Sequence, residues 1–141
     1  MNQREFVLAA FAGVKERPFT PVQAQKLIFL VDRNVGKAVG GSGFKFRPYN
    51  YGPFDRDVYV VLQKLRDDGL AAMEEGSPRT YRLTPEGQAE GERITRETLE
   101  KRYADYIVAA GSFVRSQSFA GLVSSIYKAY PEMKANSVFR E

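Results

Sequence analysis

Apolar residues recur along most of this chain at helical spacing, and the pattern changes character within the run from Phe44 to Leu70, FKFRPYNYGPFDRDVYVVLQKLRDDGL. There an aromatic-rich turn leads into a helix and then into a hairpin, and the remaining elements read as arranged around it. Tyr49, Tyr51 and Phe54 crowd around Gly52-Pro53, a turn dipeptide that leaves Pro53 suited to the first helical position, where its missing N–H costs nothing. From Phe54 the residues Val58, Val61, Leu62 and Leu65 keep to one face, and Gly69 supplies a left-handed stop. The spacing predicts a helix from Pro53 to about Asp68. Tyr59 and Val60 fall off its face, so a second side of the helix needs covering, by the C-terminal part of the chain or by a partner.

Upstream, Phe6, Val7, Ala10 and Phe11 predict a short amphipathic helix over 5–14, ending near Gly13. Thr20-Pro21-Val22-Gln23 is a capping box with proline at the first helical position. The helix it opens places Ala24, Leu27, Ile28, Val31 and Val35 on one face, with Gly36 as terminator and with Phe29 and Leu30 off the face. Lys37 to Ser42 reads as a flexible connection, and the segment holding Phe44, Phe46 and Tyr49 as a packed loop.

Downstream, 70–74 and 80–83 read as two short strands joined by EGSPR, a small hairpin. Thr84-Pro85 then starts a helix running to about Ala110, with Leu99, Tyr103, Tyr106, Ile107 and Ala110 on one face and Gly111 as its end. Gly87 and Gly91 weaken its first turns by about 1 kcal/mol each relative to alanine, which implies either close packing or a break. A last helix from about Ser118 carries Phe119, Leu122, Val123, Ile126, Tyr127 and Tyr130 until Pro131, and the tail PEMKANSVFRE reads as loop.

Composition narrows the function more than the fold. At 141 residues, 43% hydrophobic and 27% charged, the chain fits one domain with a real core. The N-terminus lacks the charge order of a signal peptide and no apolar run approaches a membrane span, so the expected location is the cytoplasm, with no membrane contact. Absence of cysteine removes disulfides and thiolate chemistry, and absence of histidine removes the commonest general base and metal ligand near neutral pH. No cofactor or metal site is expected. The net charge of +4 is uneven: residues 1–70 carry 11 Lys/Arg against 7 Asp/Glu, while residues 71–141 carry 10 of each. That permits nucleic-acid contact through the first half without requiring it.

Helix, capped helix, aromatic turn, helix, hairpin, capped helix is the order of a winged-helix module followed by helices packed on it. The expected class is α+β, mostly helical: a winged-helix-like core over 1–84 with a helical extension over 85–141, together one domain. Particular words go further: Thr20-Pro21 with Gln25-Lys26-Leu27, Tyr51-Gly52-Pro53-Phe54, Asp68-Gly69-Leu70, Tyr81-Arg82-Leu83-Thr84 with Gly87, and Tyr130-Pro131-Glu132 with Ser137. In this order they resemble the Panacea domain, the SocA-like antitoxin family, and especially its YwgA-like relatives. Tyr49-Asn50 stands where many Panacea antitoxins carry a tryptophan. The resemblance implies a non-enzymatic bacterial or phage domain that neutralises a toxin encoded beside it, or, as in the SocA case, delivers the toxin to a protease.

Residue chemistry offers three functions to compare. A protein-binding surface would use Arg47, Tyr49, Asn50, Tyr51, Phe54, Arg56 and Tyr59, since aromatics and arginine concentrate at interface centres; the competing reading makes the aromatics core. DNA binding would use the 54–68 helix as reader and the 75–79 turn as wing, with Lys26, Arg33, Lys37, Lys45 and Arg47 as a diffuse basic patch. Asp55, Asp57, Asp67 and Asp68 on or beside that helix oppose phosphates. Catalysis would need Asp55 with Asp57, Asp67 with Asp68, or Ser124-Ser125 with Lys128, all of which have ordinary helix-end or solvent-face explanations. The sequence therefore favours a non-enzymatic protein binder with a toxin-like partner, with a DNA-binding regulator as the alternative.

Overall fold

A computed structural model describes residues 1–140. Its first helix, α1 (Gln3–Ala12), opens earlier than the spacing predicted because Asn2 and Glu5 form a capping box, each side chain accepting the other's backbone N–H. Nor is it amphipathic: every residue from Phe6 to Ala12 is buried. A helix apolar on all sides belongs in the middle of a core.

The capping box at Thr20 and Gln23 forms as expected and starts α2 (Pro21–Val35). Gly36 does not end that helix in a left-handed conformation; its φ is −51°, and the chain tightens into a 3₁₀ turn over Gly36–Val39 before Gly40, at φ +79°, stops it. Phe29 and Leu30 are covered from outside the predicted face. The Phe29 ring meets Phe46 at 5.5 Å and Tyr130 at 4.9 Å, both edge-on.

The segment read as a packed loop and helix start is instead a hairpin. β1 (Arg47–Tyr49) pairs antiparallel with β2 (Gly52–Phe54), with Arg47 opposite Phe54, Pro48 opposite Pro53 and Tyr49 opposite Gly52. Neither proline can donate, so their facing pair occupies the position of the ladder that exchanges no hydrogen bonds. Pro53 is thus a strand residue, and α3 (Asp57–Asp67) begins only after Asp55, whose Oδ1 accepts the Asp57 N–H at 2.8 Å. Gln25 locks that start from α2, accepting the Asp55 N–H at 3.0 Å and donating to the Asp55 carbonyl at 2.9 Å. Val58, Val61, Leu62 and Leu65 are buried as the spacing required, and Gly69 at φ +74° closes the helix.

β3 (Ala71–Glu74) and β4 (Thr80–Leu83) form the second hairpin. Phe19 adds an isolated bridge to Tyr81 through two 2.8 Å backbone bonds, and the hairpin packs beside α1, α2 and α3. The helix predicted over 84–110 is two: α4 (Pro85–Thr98) and α5 (Lys101–Ser116), broken where Leu99 turns to extended backbone at φ −112°, ψ 134°. Gly87 and Gly91 serve close packing. A Cβ on Gly87 would lie 1.9 Å from the Leu70 carbonyl oxygen, and one on Gly91 would lie 2.4 Å from that of Leu8. Gly111 likewise sits inside α5 rather than ending it, because a side chain there would meet Val14 Cγ1 at 2.5 Å.

α6 (Phe119–Ala129) starts at the Ser118 cap, and a 3₁₀ turn over Pro131–Lys134 follows. α4, α3, α5 and α2 all pack on α1, and one cluster of buried side chains runs from Phe6 to Met133. The described residues are α+β and mostly helical, with two separate two-stranded sheets.

Candidate functional site

The β1–β2 hairpin stands between two concavities and carries most of the residues nominated from sequence. On one side lies a groove of about 680 Å³ lined by Lys45, Arg47, Tyr49, Phe54, Asp55 and Arg56, among others. On the other, between the hairpin and α2, lies a smaller cavity of about 170 Å³ bounded by Val22, Gln25, Lys26, the 49–54 segment and Tyr59. Tyr49 and Phe54 belong to both walls, their rings 4.9 Å apart.

The aromatic cluster divides between core and surface. Phe44 is buried and Phe46 half-buried, packed on Phe6 and Phe29, so for these two the core reading holds. Tyr49 and Tyr51 are 53% and 42% exposed. Tyr51 meets the Phe119 ring at 5.2 Å, Phe119 is itself 47% exposed, and Phe139 stands 6.0 Å beyond it. The result is a strip of aromatic surface that joins the hairpin tip to the start of α6 and to the tail. Burial on this scale is ordinary for aromatics; contiguous exposure is the informative observation.

Tyr59 is half-buried, with the Phe54 ring 6.0 Å from its own and the Tyr81 ring stacked on it at 6.3 Å. Its hydroxyl donates to the Pro21 carbonyl at 3.3 Å, and burial raises its pKa. Arg47 and Arg56 are exposed and, with Lys45, pair with no carboxylate among the described residues. The carboxylates nearby are already engaged: Asp55 accepts the Lys45 and Asp57 N–H groups, and Asp57 accepts from Gln3. Asn50 is exposed, and its carbonyl is gripped by the tail, accepting from Val138 N–H at 2.9 Å and Ser137 Oγ at 3.3 Å.

The sequence reading misplaced Lys26. Counted there in a surface basic patch, it is 2% exposed, with its amine behind the hairpin: Nζ lies 3.4 Å from the position a Cβ on Gly52 would take. It makes no hydrogen bond or ion pair with any described residue, and desolvation alone lowers its pKa to about 8. No fully enclosed side-chain nitrogen or oxygen among the described residues lacks a partner. The unpartnered amine therefore retains its access through the cavity it lines. A signal was present in sequence: Val22, Phe29 and Leu30, at i−4, i+3 and i+4 from Lys26, are all apolar.

Of the other residues considered for catalysis, Asp67 accepts from Gln63, Asp68 pairs with Arg4, and Ser125 donates back to the Gly121 carbonyl. Among the described residues no helix is long and apolar enough to cross a membrane. Compared with models of known protein families, with curated proteins and with solved structures, the chain finds no match. The chemistry of the hairpin surface is thus the direct guide to function.

Proposed function

We propose that this protein is a non-enzymatic protein-binding module, an antitoxin-like partner that masks a toxin or delivers it to a protease. The observation that carries the reading is the exposed aromatic strip of Tyr49, Tyr51 and Phe119, flanked by the unpaired cations Arg47 and Arg56. Rigid aromatic anchors beside arginine are the chemistry of interface centres, because a ring yields much buried area for little lost side-chain freedom. The resemblance to SocA-like antitoxins supplies the class of partner. The alternative, a winged-helix regulator reading DNA through α3, draws less support: the acids Asp57 and Asp67 stand exposed on that helix, and Lys26 is withdrawn from the basic patch that would have faced phosphates.

Capture of partners from the native host with tagged protein, at low and high salt, tests the reading. The expected result is one stoichiometric protein that survives high salt, is lost with Tyr49→Ala plus Tyr51→Ala, and arrests growth when expressed without this chain. DNA retained only at low salt, with no protein, would replace the binder by the regulator.

A further inference from the structure

We propose that the cavity between the β1–β2 hairpin and α2 is a receptor for a single carboxylate, held by the Lys26 ammonium and supplied by an acidic side chain of a protein partner. The supply of that group by a protein rests on the binding function proposed above; the site itself rests on the placement and burial of Lys26.

A buried ammonium without a counter-ion is costly, and such groups are normally paired or neutralised. Lys26 has neither a carboxylate nor a carbonyl on its Nζ among the described residues, and it lines the 170 Å³ cavity. Gln25, the neighbouring polar side chain, is committed at both ends to the Asp55 backbone. Lys26 is thus the cavity's one cation among the described residues. The remaining walls are Val22, the turn residues Asn50 to Pro53 and the rings of Tyr49, Phe54 and Tyr59, so that one cation stands in a largely apolar and aromatic wall, which suits a flat, singly charged group. With a pKa of about 8, the amine is mostly protonated at neutral pH, as an ion-pair donor requires. In the groove across the hairpin Lys45, Arg47 and Arg56 outnumber Asp55 and Asp57, so the net charge beside the cavity has the same positive sign.

The probe is N-acetyl-glutamate amide, which presents an internal acidic side chain without a chain terminus, added to the full protein carrying ¹³Cε-labelled lysine. The Lys26 titration midpoint is expected to rise by about one pH unit, because a nearby opposite charge favours the protonated form. Amide signals of Tyr51 and Gly52 should move in the same titration, N-acetyl-glutamine amide should move neither, and Lys26→Met should abolish the response. A response to N-acetylglycine alone would reassign the site to a chain terminus and overturn the side-chain source; no response to any carboxylate would overturn the site. The wild-type titration stands even where Lys26→Met fails to fold. Neither result depends on capture of a host protein, so failure here leaves the aromatic surface to be judged by the Tyr49 and Tyr51 variants.

Discussion

Lys26 Nζ lies behind Gly52, 3.4 Å from the point where a Cβ on that glycine would stand, and the two residues meet where a helix passes under a hairpin tip. Gly52 adopts φ +108°, a conformation open to glycine, and so lets the chain reverse tightly over the amine. The contact joins the turn singled out in sequence to a lysine whose charge the fold leaves unpaired.

That charge should appear in the pH dependence of stability. The folded-state pKa of Lys26 is lowered from 10.5 to about 8, so between these values the unfolded chain binds a proton that the folded chain does not. Stability is therefore lowest below about pH 8 and rises toward pH 10, by at most about 3 kcal/mol. Lys26→Met should be more stable than wild type at pH 7 by about 1–3 kcal/mol and should lack the rise. Urea unfolding of both proteins at several pH values checks this. A wild-type curve no steeper than that of the variant would show that the amine is not desolvated.

Gly87 and Gly91 offer a test in which two effects have opposite signs. In a helix interior, glycine to alanine should stabilise by about 1 kcal/mol on propensity alone. Here the new Cβ would stand 1.9 Å from the Leu70 carbonyl oxygen or 2.4 Å from the Leu8 carbonyl oxygen, both backbone atoms that cannot rotate away. Gly87→Ala and Gly91→Ala should each destabilise, by roughly 1–3 kcal/mol, as α4 is pushed off its neighbours. Urea midpoints at or above wild type would refute the close approach.

The tail, read from sequence as loop, is tied to the hairpin. Tyr127 donates to Ser137 Oγ at 2.6 Å, Ser137 donates to the Asn50 carbonyl, and the Val138 N–H shares that carbonyl. Tyr127→Phe should weaken this clasp by about 1 kcal/mol. Hydrogen exchange at the Val138 amide should accelerate several-fold while amides of α1 stay protected; unchanged exchange at Val138 would mean that the hydroxyl does not hold the tail.

Local chemistry was readable wherever it was self-sufficient. The Thr20 and Thr84 starts, the Gly69 stop, the 71–83 hairpin and the buried face of α3 follow from capping, backbone freedom and periodicity within a few residues, so the mostly helical α+β class followed too. Tertiary contacts decided the rest. Pro53 could open a helix or sit in a strand, and Gln25 and Asp55 chose the strand by fixing where α3 begins. Gly111 could end a helix or admit a neighbour, and Val14 made it an interior contact. For the candidate site, residue type pointed to the hairpin aromatics, but their division into buried Phe44 and exposed Tyr49 depends on what packs behind each ring. Lys26 shows the limit most clearly: residue type placed it in a surface basic patch, yet the passage of β2 over α2 removes its water while leaving it no partner. Charge burial is a property of the assembled neighbourhood, and no stretch of sequence contains that neighbourhood.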